Sequence, residues 1–348
     1  MTTETTEARV LDAIRERRDL VNAAIDEELP VQRPERLYEA SRYILEAGGK
    51  RLRPTVTTLA AEAVAGIEPM SADFREFDAL DGEAVDVMRA AVSIEVIQSF
   101  TLIHDDIMDE DDLRRGVPAV HEQYDVSTAI LAGDTLYSKA FEIMSETGAD
   151  PADGLEAMRL LASTCTEICE GQALDVAFES RDDILPEEYL EMVELKTAVL
   201  YGAAASTAAV LLGADDGISD ALYQYGIDSG RAFQIQDDVL DLTVPSEDLG
   251  KQRGSDLVEG KETLITLHAR QEGVDVDGLV DAETPAEVTE AEVDEAVAVL
   301  EEAGSIEYAR ETAADLTARS KEHLQVLPES DSRALLEDLA DYLITRGY

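Results

Sequence analysis

The chain has 348 residues, 45% hydrophobic and 30% charged, which supplies ample apolar material for a large buried core and excludes wholesale disorder. Its formal net charge of −49 is spread over the whole length, and such a field excludes nucleic acid and anionic membrane as partners. An even acidic excess, with six lysines against 22 arginines, predicts adaptation to molar salt, where the Debye length falls to about 3 Å and self-repulsion is screened.

The start, MTTETTEARV, is acidic and polar, unlike a signal peptide, so the expected location is cytoplasmic. Apolar residues then recur at helical spacing over 36–48, RLYEASRYILEAG, and GGKRLRP follows as a break. Residues 66–84 read as a loop or insertion. A long helical pattern over 85–110 ends in DDIMDE, and RRGVP interrupts the chain. Another helix is predicted over 135–146, before TGADPADG. Cys165 and Cys169 lie one helical turn apart with no third or fourth partner, which fits small buried hydrophobes better than zinc or disulfides. The apolar stretch 198–213, AVLYGAAASTAAVLLG, is too short and too Ala-rich for a membrane span and reads as a buried helix. After LLGADDG, helical spacing returns over 221–242, and 272–290 is a second loop-like insertion. Alternation of period two is almost absent. No linker composition and no tandem repeat is visible. The predicted fold class is all-α, a single large helical bundle forming one domain over 1–348.

Two DDxxD patterns carry the chemistry: Asp105, Asp106 and Asp109, then Asp237, Asp238 and Asp241. A lone match means little in a chain with 36 Asp. Both matches, however, sit inside apolar helical patterns, SFTLIHDDIM and AFQIQDDVLD, rather than on polar faces. First and last Asp are i and i+4, neighbours on one helix face about 5–6 Å apart at Cβ. Two inward carboxylates at that spacing can ligate a divalent cation. Mg²⁺ suits them because it keeps several waters and completes its shell with phosphate oxygens. Two such clusters facing each other across a bundle would hold a polyanion through metal; the alternative is a pair of solvated acidic faces.

The scarce lysines add to this. Lys50 lies in AGGKRLRP, Lys196 in ELKTAV, Lys251 in LGKQRG and Lys261 in EGKETLITL. GGKRLRP sets Lys50, Arg51 and Arg53 beside two glycines, which allow close backbone approach to an anion, and guanidinium forks bind phosphate bidentately. Lys139 and Lys321 read as ordinary surface charges that complement helix ends.

GGKRLRP, LIHDDIMDEDDLRRG, ELKTA, FQIQDDVLD, and the GK and GKET segments, in that order, resemble the trans-isoprenyl diphosphate synthases, the family of the farnesyl and geranylgeranyl diphosphate synthases. The resemblance runs from about 36 to 268 and is closest to the archaeal short-chain type. It implies a single all-α bundle with a central active-site cavity, usually a homodimer, that takes isopentenyl diphosphate and the allylic dimethylallyl, geranyl or farnesyl diphosphates. It implies Mg²⁺, typically three ions. Asp105, Asp109 and Asp237 would bind metal, while Asp106, Asp238 and Asp241 would support it directly or through water, Asp241 being included in the candidate ligand set. Arg114, Lys196 and Lys251 would contact the allylic diphosphate. Lys50, Arg53 and Arg115 would hold the diphosphate of isopentenyl diphosphate. Thr197 and Gln234 would line the reacting centre with Lys196, and Lys261 would close over the phosphates. Two positions depart from the family pattern. Gln98 stands where many members have His, and a Gln amide still donates to phosphate. Glu262 stands where Lys or Asn is common.

The implied reaction ionises the allylic C–O bond, a charge separation that metal and the basic set stabilise. The alkene of isopentenyl diphosphate then attacks and a proton leaves; no side-chain nucleophile is needed, and His104 is expected to orient or pack beside the Asp cluster. Phe100 and Thr101, five and four residues before Asp105, are the candidate chain-length residues. A large Phe100 with a small Thr101 points to a C20 product, geranylgeranyl diphosphate, with C15 or C25 as alternatives. A terpene cyclase lacks GGKRLRP, and a non-catalytic acidic subunit would not keep every motif Asp and Lys.

Overall fold

A computed structural model describes residues 3–178, 180, 181, 183–246, 252–282, 284 and 287–346. The protein is helical, as the periodicity predicted, and its strands are two-residue pairs. Two compact units are present: 1–165 with 200–224 and 324–338, and 166–199 with 225–323 and 339–348.

In the first unit, α1 (Thr3–Glu28), α2 (Glu35–Glu46), α3 (Leu52–Ala65), α5 (Val120–Gln123) and α6 (Val126–Ser145) pack around α4 (Val87–Met108). Every residue from Ala90 to Ile97 is buried, so this stretch of α4 is enclosed on all faces. Each large apolar side chain there, such as Ile94 or Ile97, contributes about 1.5–3 kcal/mol on burial. The Asp86 side chain caps α4 by accepting from the Arg89 N–H. Helix α6 begins earlier than the spacing predicted because Asp125 caps it, accepting from the Thr128 N–H, while Val126, Ile130 and Leu131 stay exposed and blur the apolar period.

The expected loop 66–84 holds part of a short antiparallel pair, β1 (Phe77–Asp78) with β2 (Ala84–Val85). A second pair, β3 (Leu113–Arg114) with β4 (Val117–Pro118), follows α4. Its two central residues, Arg115 and Gly116, have φ of 55° and 78°, the backbone of a type I′ hairpin turn.

Helix α7 (Pro151–Phe178) is followed by α8 (Pro186–Val193), a π-helical turn over Glu194–Ala198, α9 (Val199–Leu211) and α10 (Asp216–Thr243). Then come α11 (Ser255–Val258), α12 (Leu264–Gln271), α13 (Glu290–Glu302), α14 (Ser305–His323) and α15 (Asp331–Thr345). The expected loop 272–290 carries a 3₁₀ turn, Val276–Gly278. In the second unit, α12 packs against α8, α13 and α14 over a core that includes Met192, Ile235, Leu264, Ile265, Val293 and Leu300. Among the described residues no helix is long and apolar enough to cross a membrane.

Candidate active site

The first acidic motif occupies the last turn of α4. Asp105 is half-buried, and Asp109 is the exposed C-cap, its N–H donating to the Asp105 carbonyl at 2.8 Å. Asp106 points elsewhere: it is 0% exposed, and its Oδ1 accepts from Arg114 Nε at 2.6 Å. Arg114 also donates to Asp111 Oδ2 at 2.8 Å. The hairpin turn thus folds Arg114 back against the acidic motif. Burial raises the Asp106 carboxyl above the ordinary carboxylate range, although Arg114 opposes the shift. Burial acts to lower Arg114, but Asp106, Asp111 and Asp105 outweigh it and the net direction is up. Asp106 Oδ2 is buried and takes no hydrogen bond among the described residues. His104 faces α6 instead, with Nε2 3.2 Å from the Ile130 carbonyl.

The basic loop between α2 and α3 bends through Gly48 and Gly49, with φ of 102° and 145°. Lys50 is exposed. Arg51 is 4% exposed and points inward, donating to Glu95 Oε1 at 2.6 Å, the Leu45 carbonyl at 2.6 Å and Asn22 Oδ1 at 2.9 Å. The Arg53 guanidinium lies over the Tyr201 ring at 4.3 Å, and its buried Nε takes no hydrogen bond among the described residues. Arg115 donates to the Ile44 carbonyl at 3.0 Å and to the Gly48 carbonyl. Burial lowers Arg115, Glu95 resists, and Arg51, Arg114 and Arg53 add to the lowering. Gln98 is half-buried on α4; Thr101, one turn before Asp105, is 9% exposed. The Phe100 ring packs edge-on against His104 and Tyr137, with centroids at 5.1 and 5.3 Å.

In the second unit Lys196 sits in the π-helical turn and pairs with Asp175 on α7 at 2.5 Å. Thr197 Oγ1 donates to Gln234 Oε1 at 3.2 Å, and Gln234 Nε2 donates to Asp238 Oδ1 at 3.1 Å. Tyr189 donates to the other Asp238 oxygen. Burial pushes both the Asp238 carboxyl and the Tyr189 hydroxyl well up from their ordinary values. Asp241 is 1% exposed and accepts from Ser255 Oγ at 2.9 Å and the Asp256 N–H at 3.3 Å, fastening the start of α11. Asp237 pairs with Arg346, whose guanidinium lies 4.0 Å over the Phe233 ring. Lys261 is exposed and pairs with Glu259 at 2.8 Å, and Glu262 lies 3.3 Å from Arg270. Lys251 lies outside the described residues.

Four residues escaped the sequence reading. Glu95 is a buried carboxylate inside VSIEVI, and a lone charge in an apolar helix was its signal. Asp175 and Gln172 lie in EGQALD; Gln172 is 7% exposed and neither amide atom finds a partner among the described residues. Gly171, in the middle of α7, marked that stretch as a close contact. Arg346 had no sequence signal.

The donor set fits a hard cation. At the end of α4 Asp105 and Asp109 stand at i and i+4, and Asp106 Oδ2 is a buried acceptor with no hydrogen bond among the described residues; in the second unit Asp237 pairs with the Arg346 guanidinium. Among the described residues no three His, Cys, Asp or Glu side chains converge as a preformed metal cage.

Comparison with known proteins gives a consistent result. The family model "Polyprenyl synthetase" matches residues 34–300. The chain is 67% identical over 339 residues to a geranylfarnesyl diphosphate synthase of Natronomonas pharaonis, covering 97% of this chain and 98% of that protein. It is 51% identical over 339 residues to a geranylgeranyl diphosphate synthase of Methanosarcina mazei, covering 97% and 98%. The solved geranylgeranyl pyrophosphate synthetase of Geoglobus acetivorans superposes with a TM-score of 0.84 at 46% identity, covering 96% of this chain and 99% of that one.

Proposed function

The chain belongs to the polyprenyl synthetase family and is a trans-prenyltransferase, and from that premise we propose that it condenses isopentenyl diphosphate with dimethylallyl, geranyl and farnesyl diphosphates to make geranylgeranyl diphosphate (C20). One observation carries the reading: the hairpin after α4 folds Arg114 back onto Asp106 and Asp111, at the helix end that bears Asp105 and Asp109.

Asp105 and Asp109 in the first unit and Asp237 in the second would be the residues that bind Mg²⁺, with Asp106, Asp238 and Asp241 in support. When bound, the metal supplies positive charge against the leaving diphosphate. Arg114, Lys196 and Lys251 bind the allylic diphosphate, and Lys50, Arg53, Arg115 and Gln98 bind that of isopentenyl diphosphate. Asp175 orients Lys196 through its ion pair. Thr197 donates to Gln234 and Gln234 donates to Asp238, and through this series of bonds Thr197 and Gln234 line the reacting centre. Lys261 closes over the phosphates. The allylic C–O bond breaks to give an allylic cation and pyrophosphate. The alkene of isopentenyl diphosphate forms the new C–C bond, and the proton lost passes to pyrophosphate. Apolar surroundings keep water from the cation. The chain acts as one catalytic domain and as a cytoplasmic homodimer, and the exposed apolar residues Val126, Ile130, Leu131 and Tyr137 of α6 support the pairing.

A second reading, one further condensation to geranylfarnesyl diphosphate (C25), is favoured by two observations. The relative from Natronomonas pharaonis at 67% identity bears that name. Phe100 also leans on α6, so the small Thr101 is the residue one turn beneath Asp105. Purified protein is incubated with labelled isopentenyl diphosphate and each primer, with and without Mg²⁺, and the dephosphorylated products are chromatographed. C20 as the end product supports the first reading and C25 the second. No condensation with any primer at saturating Mg²⁺ sinks both.

A further inference from the structure

The two basic motifs of the first unit are 60-odd residues apart in sequence, yet one carboxylate lies between them. Glu95 is 3% exposed, in the fully enclosed part of α4. Its Oε1 lies 2.6 Å from Arg51 Nη1 and 3.9 Å from Arg115 Nη2. Arg51 belongs to GGKRLRP and Arg115 to DDLRRG. A buried carboxylate is costly unless paired, so its placement between two guanidinia sets the position of all three groups.

The linkage reaches the backbone. Arg51 holds the end of α2 through the Leu45 carbonyl, from a left-handed backbone with φ of 54°. Arg115 holds the Ile44 and Gly48 carbonyls. The Arg115 guanidinium lies so close to Gly49 that a Cβ there would meet its Cζ at 3.0 Å. The path of Gly48, Gly49 and Lys50 is therefore shaped around Arg115, and Arg115 is shaped around Glu95. Arg115 is lowered chiefly by burial, Glu95 resists, and Arg51, Arg114 and Arg53 add to the lowering. Before any diphosphate arrives, Glu95 is the buried counter-charge beside Arg115 and Arg51.

We propose that Glu95 is the positioning residue of the isopentenyl diphosphate subsite, holding Arg115, and through it the Gly48–Lys50 backbone, in a diphosphate-ready arrangement. This rests on the reading that Arg115 and Arg53 bind that diphosphate. Glu95 does not touch substrate; it sets the geometry of groups that do, so its loss shows in the KM for one substrate rather than in kcat.

The test is steady-state kinetics on Glu95→Gln, Glu95→Asp, Arg115→Ala and the Glu95→Gln/Arg115→Ala pair, varying each substrate separately. Glu95→Gln is expected to raise the KM for isopentenyl diphosphate about tenfold, within the coupling range of neighbouring charged groups, and to leave the allylic KM within about twofold. Glu95→Asp, which keeps the charge, recovers part of the loss. On the Arg115→Ala background Glu95→Gln adds little. Because Glu95→Gln alone strands a buried Arg51, the Arg51→Met/Glu95→Gln pair is measured as well; it removes both buried charges and is expected to show the same selective KM rise in a folded protein. An equal rise in both KM values, or full additivity with Arg115→Ala, makes Glu95 merely structural and overturns the proposal. If Arg115→Ala raises the isopentenyl KM and no Glu95 variant does, the proposal alone fails. If Arg115→Ala and Arg53→Ala both leave that KM unchanged, the underlying subsite reading fails with it.

Discussion

Each acidic motif divides its three aspartates between two duties. Asp106, Asp238 and Asp241 are buried and hydrogen-bonded to neighbours that fix the local backbone. Asp105, Asp109 and Asp237 are the accessible members, two at the end of α4 and one paired with Arg346. The accessible ones are therefore where a cation would act. Asp105→Ala and Asp237→Ala are each expected to lower kcat by at least about 10²-fold at saturating Mg²⁺, the scale of losing one electrostatic stabiliser of the leaving group. Asp237→Ala should also lower Tm, because it strands Arg346, 7% exposed. Near-normal kcat in either variant removes the metal assignment. The carboxylates were legible in the sequence because the pattern occurs twice within apolar helices. Their division of labour was not, since the deciding partners, Tyr189, Arg346 and Ser255, lie 14 to 109 residues away. Glu95 was missed for a related reason: a lone charge in an apolar helix signals a buried carboxylate, but its meaning appears only when two arginines meet it.

At the scale of elements, helix placement was largely legible and helix irregularity was not. Apolar spacing located α2, α4 and α10 to within a few residues, but a π-helical turn differs from an α-turn by one residue and leaves no periodic trace. That turn sets Lys196, and Gly171 of α7 packs directly against it: a Cβ on Gly171 would lie 2.2 Å from the Lys196 nitrogen. Backbone cannot swing aside as a side chain can. Gly171→Ala is expected to displace the turn, break the Lys196–Asp175 pair and destabilise the fold by about 1–3 kcal/mol, the cost of overpacking. Denaturant melts and kcat report it together; a variant unchanged in both shows that the two elements separate freely. The contact between α4 and α6 bears on product length. Thr101 is one turn below Asp105, about 6 Å along the axis, and Phe100 turns toward Tyr137. Thr101→Phe should shorten the product and Phe100→Ala should lengthen it, read by chromatography of the dephosphorylated products. If only Thr101→Phe shifts the distribution, Phe100 is a packing residue of the α4–α6 contact and the C20 assignment loses its basis.

For the whole molecule, the two compact units carry no linker signal in the sequence because long helices, not loops, run through the division points at 165 and 224. The charge, by contrast, was fully legible. Some acidic pairs are locally answered: Arg253 contacts both Glu290 and Asp294 on α13, at 3.2 and 2.7 Å. With 28 basic against 77 acidic residues, most cannot be. Acidic residues at i and i+4 on an exposed helix face, such as Glu307 and Glu311 of α14, stand about 5–6 Å apart at Cβ. That distance exceeds the Debye length of about 3 Å at 1 M salt and falls inside the 10 Å at 0.1 M. Repulsion that is screened at molar salt is therefore felt between surface neighbours in dilute buffer, and it opposes the compact state. Tm is expected to rise steadily from 0.1 M to above 1 M KCl, and prenyltransferase activity to rise with it. A neutral osmolyte such as sucrose strengthens burial without screening charge, so it should reproduce only part of the gain. Equal melts in dilute buffer and concentrated KCl, or full replacement of KCl by sucrose, would show that the acidic surface is not what sets the stability of this fold.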